Sequence, residues 1–545
     1  MNPNPRREAL PKRIRSPRRN ERADILKDDQ FTALKILLVG AAVFYLIFIL
    51  RTSFRVRGEL YFTLIDDAMV SMRYARHLAQ GFGLTWNIGA RPVEGFTNPA
   101  WMLMMALLHL LPLASSKISL AVMIVSAAAL LANAAVVYRL CQMISPRSTY
   151  APIIAAGITA FYFPLLFWSL RGMEVGMLTL LVDLGMILAL RLARAGSLRT
   201  SIVLGLIVVI ALAVRLDSVL QLSVILVYLI VRSMARLRPA WIPLLALLLA
   251  AAAILWLQRS YFGDFLPNTF YQKVVGTTIA ERMKFGILAF TQYATRDTLT
   301  LVLLSAAGIL LYRDMQSRET AAMVALFVIQ CLYSIWVGGD YAEPEVDAAN
   351  RFITQGMPAL FVLFGLAADH MIADLTAKLG SAVTSRRGFH TSISAAVVWA
   401  VLVVICGQPW INWAIDDAPL LKADIRRVKV GISIAKYSSP EATIAVHAAG
   451  QIPYYSDRAT IDLLGLNDAV IAKGPVTGPF YPGHDKWNYD YSIEQLKPDL
   501  IADNWIRLGD YMRNVADYAQ LDNGMYVRKD SRLLDVNGLS QSPGQ

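Results

Sequence analysis

The chain has 545 residues, is 56% hydrophobic and 17% charged, and carries a formal net charge of +12. An average soluble domain carries roughly 25% charged residues, so a mean hydropathy of +0.46 argues against a soluble enzyme or a disordered chain and turns the basic pI of about 9.5 away from a nucleic-acid partner. Cys141, Cys331 and Cys406 lie in or beside apolar runs, which excludes a disulfide scaffold and a Cys-rich metal site.

Residues 1–30 hold nine Lys/Arg against five Asp/Glu and no apolar run. They read as a disordered cytoplasmic tail, with no signal-peptide cleavage pattern. The first apolar stretch, 32–50, is long enough to cross a ~30 Å bilayer core as a helix. Further apolar runs stand at about 98–113, 118–141, 151–168, 173–192, 200–214, 217–232, 240–257, 298–312, 321–338, 352–373 and 391–409. Alternate short loops near 139–148, 191–199, 231–239, 312–320 and 374–389 carry thirteen Lys/Arg in all. The short loops of opposite parity carry only Arg171, Arg215 and Arg351. The positive-inside rule puts the rich set in the cytoplasm. With the first helix running outward, one run must then fail to cross. The run 98–113 is short, opens near Pro99, ends at Pro112 and contains His109, so it is assigned to the interface. Eleven spans follow, with the C-terminus outside.

The first outer loop, within 51–117, concentrates unusual polar residues. Asp66-Asp67 follows the first span. Arg73-Tyr74-Ala75-Arg76, Gly81-Phe82-Gly83-Leu84 and Val93-Glu94-Gly95-Phe96-Thr97-Asn98-Pro99 come after it. Two acids at the start of a helix over 67–79 favour its N-terminus. Two adjacent carboxylates also suit a proton acceptor or a cation site. The residues leave both readings open. Gly95 and Pro99 explain a turn, but not Glu94 beside the membrane.

These strings resemble the first periplasmic loop of GT-C glycosyltransferases, and most closely the branch containing the mycobacterial terminal arabinofuranosyltransferase. The resemblance continues through Gly172-Met173-Glu174, the Arg215-Leu216-Asp217 turn, Leu266-Pro267-Asn268-Thr269-Phe270-Tyr271-Gln272-Lys273 and Gly338-Gly339-Asp340 followed by Arg351-Phe352. The family more often has proline where Leu216 stands. The resemblance implies a multi-pass enzyme of the bacterial inner membrane. It would use a polyprenyl-phosphate sugar on the outer face, with a loop carboxylate activating the acceptor.

On this topology the polar helix ends share the outer side, Glu343, Glu345 and Asp347 included, and would line one wet pocket. A phosphate leaving group needs cations, for which Arg215, Lys273 and Arg351 are the candidates. Sugar hydroxyls need carboxylates and amides: Glu94, Asn98, Glu174, Asn268 and Asp340, with Tyr271 beside them. Asp66 is the first candidate for general base and Asp67 the second. Direct displacement would invert the anomeric centre. The one cofactor these residues suggest is a divalent cation, Mg²⁺ or Ca²⁺, on Asp66 and Asp67. Asp183, inside the fourth span, is either a packed polar group or part of a relay.

From about 410 the apolar runs shorten to strand length, at 442–447, 459–464 and 498–503. Helix-like segments at 421–437 and 506–518 alternate with them, as in a small α/β domain. Asp462, Asp468 and His484 are its polar signatures, read as strand-end turns or, by the resemblance, as acceptor guides. No P-loop or dinucleotide fingerprint stands anywhere in the chain. The expected architecture is an α-helical polytopic membrane protein of about eleven GT-C-like helices (31–409) with a periplasmic α/β domain (410–545). Its partners would be a polyprenyl-phosphate donor, a glycan or glycoconjugate acceptor and membrane lipid, with arabinofuranose the leading sugar. A flippase or transporter of lipid-linked sugars is the alternative, though it would place charges at midplane and show internal repeats. Protein O-glycosylation or oligosaccharide transfer is a third reading.

Overall fold

The structure is a computed structural model that describes residues 19–233, 240–293, 299–340, 350–378, 407 and 409–542. The eleventh expected span, Cys406, Arg236, Arg238, Arg386, Arg387, Glu343, Glu345 and Asp347 lie outside the described residues.

Helices dominate up to residue 378. In chain order they are α1 (Arg19–Arg51), α2 (Asp66–Ala79), α3 (Pro99–His109), α4 (Ser115–Ile144), α5 (Ala151–Phe161), α6 (Phe163–Leu170), α7 (Val175–Ala195), α8 (Leu198–Val214), α9 (Val219–Ser233), α10 (Trp241–Tyr261), α11 (Asn268–Val274), α12 (Ile279–Tyr293), α13 (Leu299–Leu311), α14 (Arg318–Val337), α15 (Arg351–Thr354) and α16 (Met357–Lys378). α1 starts at Arg19, inside the stretch expected to be a disordered tail. Six helices are long and apolar enough to cross a membrane, beginning at Asp29, Ser115, Val175, Trp241, Arg318 and Met357. The pair α5–α6, bent by 47° before Pro164, makes a seventh if it is one span. The eleven expected spans are therefore not reached among the described residues. α8, α9 and α13 have 17, 15 and 13 residues. At 1.5 Å per residue α8, and the described parts of α9 and α13, are shorter than a ~30 Å core. α3, with 11 residues, is shorter still.

The helices pack α4 against α5 and α7, and α16 against α5 and α13. Trp168, Phe163, Phe167 and Phe361 are fully buried between them. Outward faces carry Leu, Ile and Val, such as Leu248, Leu249 and Ile210. Lipid solvates these as well as a protein core does.

The C-terminal region is α/β. It comprises α17 (Leu421–Tyr437), β3 (Thr443–Val446), α18 (Gln451–Ser456), β4 (Ala459–Asp462), α19 (Ala469–Ala472), β5 (Leu500–Ile501), α20 (Leu508–Met512), β6 (Tyr518–Gln520), β7 (Tyr526–Arg528) and α21 (Val536–Ser540). A hairpin of β1 (Phe54–Val56) and β2 (Glu59–Tyr61) precedes α2. The five-stranded sheet has the order β4-β3-β5-β7-β6. β3 runs parallel to β4 and β5, while β7 is antiparallel to β5 and β6. Three residues of β3 are buried, as its place between β4 and β5 and its Ile-Ala-Val run require. The expected helix over 506–518 is only α20, because the chain turns back there into β6.

This domain is tied to the segment between α1 and α4 and to the end of α6. Arg73 donates to the carbonyls of Trp86 (2.8 Å), Pro453 (2.5 Å) and Arg458 (2.8 Å). Arg76 reaches the Tyr454 carbonyl at 2.7 Å and Asp457 at 2.6 Å. Arg171 and Asp424 form an ion pair with both side chains fully buried. Gln451 bridges the Leu64 carbonyl (3.0 Å) and Asp424 (2.9 Å).

Candidate active site

A cavity of about 700 Å³ opens between one end of the helices and the α/β domain. Leu212, Val219, Ile254 and Leu332 form part of its apolar wall, and Asp67, Lys273, Asp340 and Arg351 supply charge. Leu332 and Trp336 line it and are also exposed on α14 (55% and 42%), so the apolar wall continues onto the lipid-facing surface.

Local sequence explains how the charged groups converge. Asp66 and Asp67 occupy the first turn of α2, where the helix dipole favours acids. Gly338 and Gly339 both have positive φ and turn the chain at the end of α14, delivering Asp340. Arg351 opens α15, capped by the Asn350 side chain on the amides of Phe352 and Ile353.

Arg351 joins two carboxylates. Its Nη1 donates to Asp67 Oδ2 at 2.8 Å, and its Nε lies 3.2 Å from Asp340 Oδ2. Burial works to raise the Asp67 carboxyl, but Arg351 and Lys273 outweigh it and hold it below the ordinary carboxylate value. For Asp340 burial wins and its carboxyl is raised. Burial, reinforced by Arg351, pushes the Lys273 ammonium down. Among the described residues, no carboxylate lies within ion-pair distance of Lys273.

Asp66 faces a different partner. Its Oδ1 accepts from the backbone amides of Gly450 (3.1 Å) and Gln451 (3.3 Å). Burial pushes this carboxyl up to about 7. The adjacent aspartates thus point at separate partners, Asp66 at the α/β domain and Asp67 at Arg351. Among the described residues, no group of three His, Cys, Asp or Glu could hold a metal ion. With Asp67 neutralised by Arg351, the pair does not form a cation's donor set.

Several expected sugar and phosphate contacts are structural ties. All three Arg215 nitrogens are committed: Nη1 to Glu174 (2.6 Å), Nε and Nη2 to Asp217 (3.0 and 2.6 Å). Its charge lines the cavity already neutralised. Glu174 is fully buried and takes its second hydrogen bond from Asn98 at 2.8 Å. Asn98 in turn accepts from Ser71 at 2.9 Å. Of this network Ser71, Asn98, Arg215 and Asp217 touch the cavity, while Glu174 anchors it from behind. Glu94 is buried, accepts from Gln258 at 3.1 Å, and is pushed up to about 7 by burial. Asn268 donates to the Gly465 and Leu466 carbonyls (2.8 and 2.9 Å), tying α11 to the α/β domain. The Tyr271 carbonyl accepts from Lys486 at 2.9 Å.

The α/β signatures behave similarly. Asp462 accepts from the amides of Leu464 and Asn467 and from the Asn467 side chain (3.0, 2.8 and 2.9 Å), so it shapes the turn that delivers Leu466 to the cavity. Asp468 caps α19. The Nδ1 of His484 meets the Pro482 carbonyl at 2.9 Å, and burial pushes its imidazole down to about 4. Pro482, two residues earlier, lines the cavity.

Sequence reasoning missed Gly450 and Gln451, whose amides hold Asp66. The signal lay in the Ala-Ala-Gly-Gln string after a strand (448–451), a glycine where backbone must approach a charge. Asp183, buried in α7, does not line the cavity.

Residues 420–533 match the model of a domain of unknown function (DUF8728). No curated protein matches the sequence. Solved structures share the fold. The oligosaccharyltransferase AglB of Archaeoglobus fulgidus, in complex with an inhibitory peptide and a dolichol-phosphate, is 12% identical with a TM-score of 0.51; the match covers 80% of this chain and 64% of that one. The oligosaccharyltransferase of that organism in complex with Zn and sulfate gives 12% and 0.54, covering 85% and 67%. ArnT from Cupriavidus metallidurans, bound to undecaprenyl phosphate, gives 12% and 0.50, covering 78% and 85%. The chain thus spans slightly under two thirds of the archaeal dolichol-phosphate complex. At these identities the likeness is one of fold: a GT-C-like polytopic helical membrane protein with a C-terminal α/β region.

Proposed function

We propose that this protein is a glycosyltransferase of the bacterial inner membrane, acting on its outer face. It takes a sugar, arabinofuranose first, from a polyprenyl-phosphate donor and passes it to a cell-envelope glycan or glycoconjugate, with inversion. The observation that carries the reading is the amphiphilic cavity. Its apolar wall continues onto a lipid-facing helix, and Lys273 and Arg351 stand in it beside carboxylates. A lipid phosphate has that same division. The likeness to structures holding dolichol-phosphate and undecaprenyl phosphate supports it.

In this mechanism the acceptor oxygen attacks C1 and the C1–O bond to phosphate breaks. The negative charge that leaves with the lipid phosphate meets Lys273 and Arg351. The acceptor proton passes to Asp66, which lies behind the cavity wall, next in the chain to Asp67 that lines it. The Asp66 Oδ1 is held by two amides, its Oδ2 accepts no hydrogen bond among the described residues, and a carboxyl near 7 suits a base at neutral pH. Asp67 orients Arg351. Arg215, Glu174, Asn98 and Asp217 hold the cavity wall in place.

The test is incubation of purified protein with radiolabelled polyprenyl-phosphate sugars and a panel of envelope glycans. Transfer of label supports the proposal. Counterflow of lipid-linked sugar in proteoliposomes without transfer overturns it in favour of a flippase.

A further inference from the structure

The α/β domain carries a second crevice that the cavity chemistry leaves unused. In the order β4-β3-β5, the chain leaves β3 to one side for β4 and returns on the other for β5. That places a topological switch point at the carboxyl ends of β3 and β5, where open α/β sheets bind ligands. His447 follows β3, and Asp503 and Trp505 follow β5. Asp503 accepts from His447 Nδ1 (2.8 Å) and from the amides of His447 and Ala448 (2.8 and 3.0 Å). The Tyr489 hydroxyl lies 3.0 Å from His447 Nε2 and 2.7 Å from the Ile506 carbonyl.

This bonding holds a strained turn. Ile506 and Arg507 have φ of +47° and +59°, a conformation that is rare for a non-glycine residue and an outlier for a β-branched one. Such strain clusters at binding sites, where surrounding contacts over-determine it. Here it holds Trp505 outward, 46% exposed. The indole borders a groove of about 620 Å³, lined also by Asn504, Arg513, Gln520 and Tyr526. An exposed aromatic face ringed by amide, hydroxyl and guanidinium groups matches a sugar, which has an apolar C–H face and a rim of hydroxyls.

One short loop separates the groove from the membrane cavity. The Trp505 ring lies 5.2 Å from that of His484. Next to His484, a Cβ on Gly483 would stand 3.0 Å from the Lys273 side chain, and Pro482 lines the cavity. On the other side, the loop that carries His447 also carries the Gly450 and Gln451 amides that hold Asp66.

We propose that the Trp505 groove, which lies beside this switch point against β6 and β7, is the acceptor subsite, in which an oligosaccharide stacks on Trp505 and runs past His484 towards Asp66. This rests on the glycosyltransferase reading and adds where the acceptor binds and that it is a glycan chain.

The experiment uses the full-length protein in detergent, with Trp505→Ala and Trp505→Phe. Binding of arabinan, mannan, galactan and glucan hexasaccharides is read by saturation-transfer NMR, binding of undecaprenyl phosphate by competition, and transfer by initial rates. Trp505→Ala is expected to weaken the glycan that wild type binds by about tenfold. It raises the acceptor KM by the same factor with kcat and undecaprenyl phosphate affinity unchanged. Trp505→Phe recovers most of the loss. Glycan affinity unchanged in Trp505→Ala, or no hexasaccharide bound by wild type, overturns the subsite whatever the transfer assay shows. Wild-type binding of glycan and lipid phosphate without transfer instead overturns the glycosyltransferase reading and leaves the subsite standing.

Discussion

The backbone amide of Gly450 donates to the Asp66 carboxylate at 3.1 Å, across 384 residues of chain. The approach is so close that only glycine fits. A Cβ on residue 450 would stand 2.1 Å from the Asp66 carbonyl oxygen and 2.6 Å from Oδ1. The first of these is a backbone atom and cannot swing aside. Gly450→Ala is therefore expected to cost about 1–3 kcal/mol of stability and to lower transfer more than it lowers lipid phosphate binding. Thermal unfolding in detergent and initial rates read the two effects. An alanine variant with wild-type stability and rate would show that the domains do not meet in this way.

The two loop carboxylates titrate differently, and this separates their roles. The Asp66 carboxyl sits near 7 because of burial, against roughly 3.9 for an unfolded aspartate. The folded state then holds more protons than the unfolded state between those values. Its stabilising contribution is complete below about pH 4 and declines as pH rises, until it is lost above about 7. Asp66→Asn is expected to flatten that slope. With Asp66 as the proposed base, activity is expected to run the other way: a base must be ionised, so kcat/KM rises through about pH 7. Asp66→Asn loses about 10²–10⁴-fold in rate. Asp67 is held below the ordinary value by Arg351 and Lys273. If Asp67 were the base, kcat/KM would stay level from pH 5 to 8.

Lys273 and Arg215 both line the cavity, but among the described residues Arg215 is paired with two carboxylates and Lys273 with none. Lys273→Ala is expected to weaken undecaprenyl phosphate binding by about 10–100-fold, the worth of one charge-assisted contact. Arg215→Lys loses the fork that spans Glu174 and Asp217, so its effect falls on stability before lipid affinity. Equal losses of lipid affinity in the two variants would contradict this division.

The Arg171–Asp424 pair is fully buried where the membrane helices meet the α/β domain. Asp424→Ala leaves a buried guanidinium without its counter-charge and is expected to cost about 3–5 kcal/mol. Replacing both partners together, Arg171→Met with Asp424→Leu, is expected to recover most of that. A thermal unfolding cycle of the two single variants and the double checks the coupling.

Much of the fold was legible in the chain itself. The apolar runs mark most of the long helices, since a 20-residue apolar segment has few other stable states in lipid. The strands β3, β4 and β5 stand where short β-branched runs change the hydrophobic period. The shortfall in spans lies in length rather than in position: α8 ends at Val214, where the apolar run also stops, but its 17 residues do not reach across a ~30 Å core at 1.5 Å per residue. β6 and β7, three residues each, were missed because so short a strand is made by its neighbours.

The sequence by itself determined which residue types would meet at one end of the helices: aspartates after the first apolar helix, a lysine after Leu-Pro-Asn-Thr-Phe, and arginines at helix ends. Covalent order, apolar run lengths and loop charge suffice for that. Only the tertiary structure decided how the groups pair. Arg351 reaches Asp67 across 284 residues, Arg215 spends its charge on Glu174 and Asp217, and Asp66 turns to Gly450. A charge buried in a low dielectric must find its partner in space, and no local pattern in the chain says which of several equal carboxylates that will be.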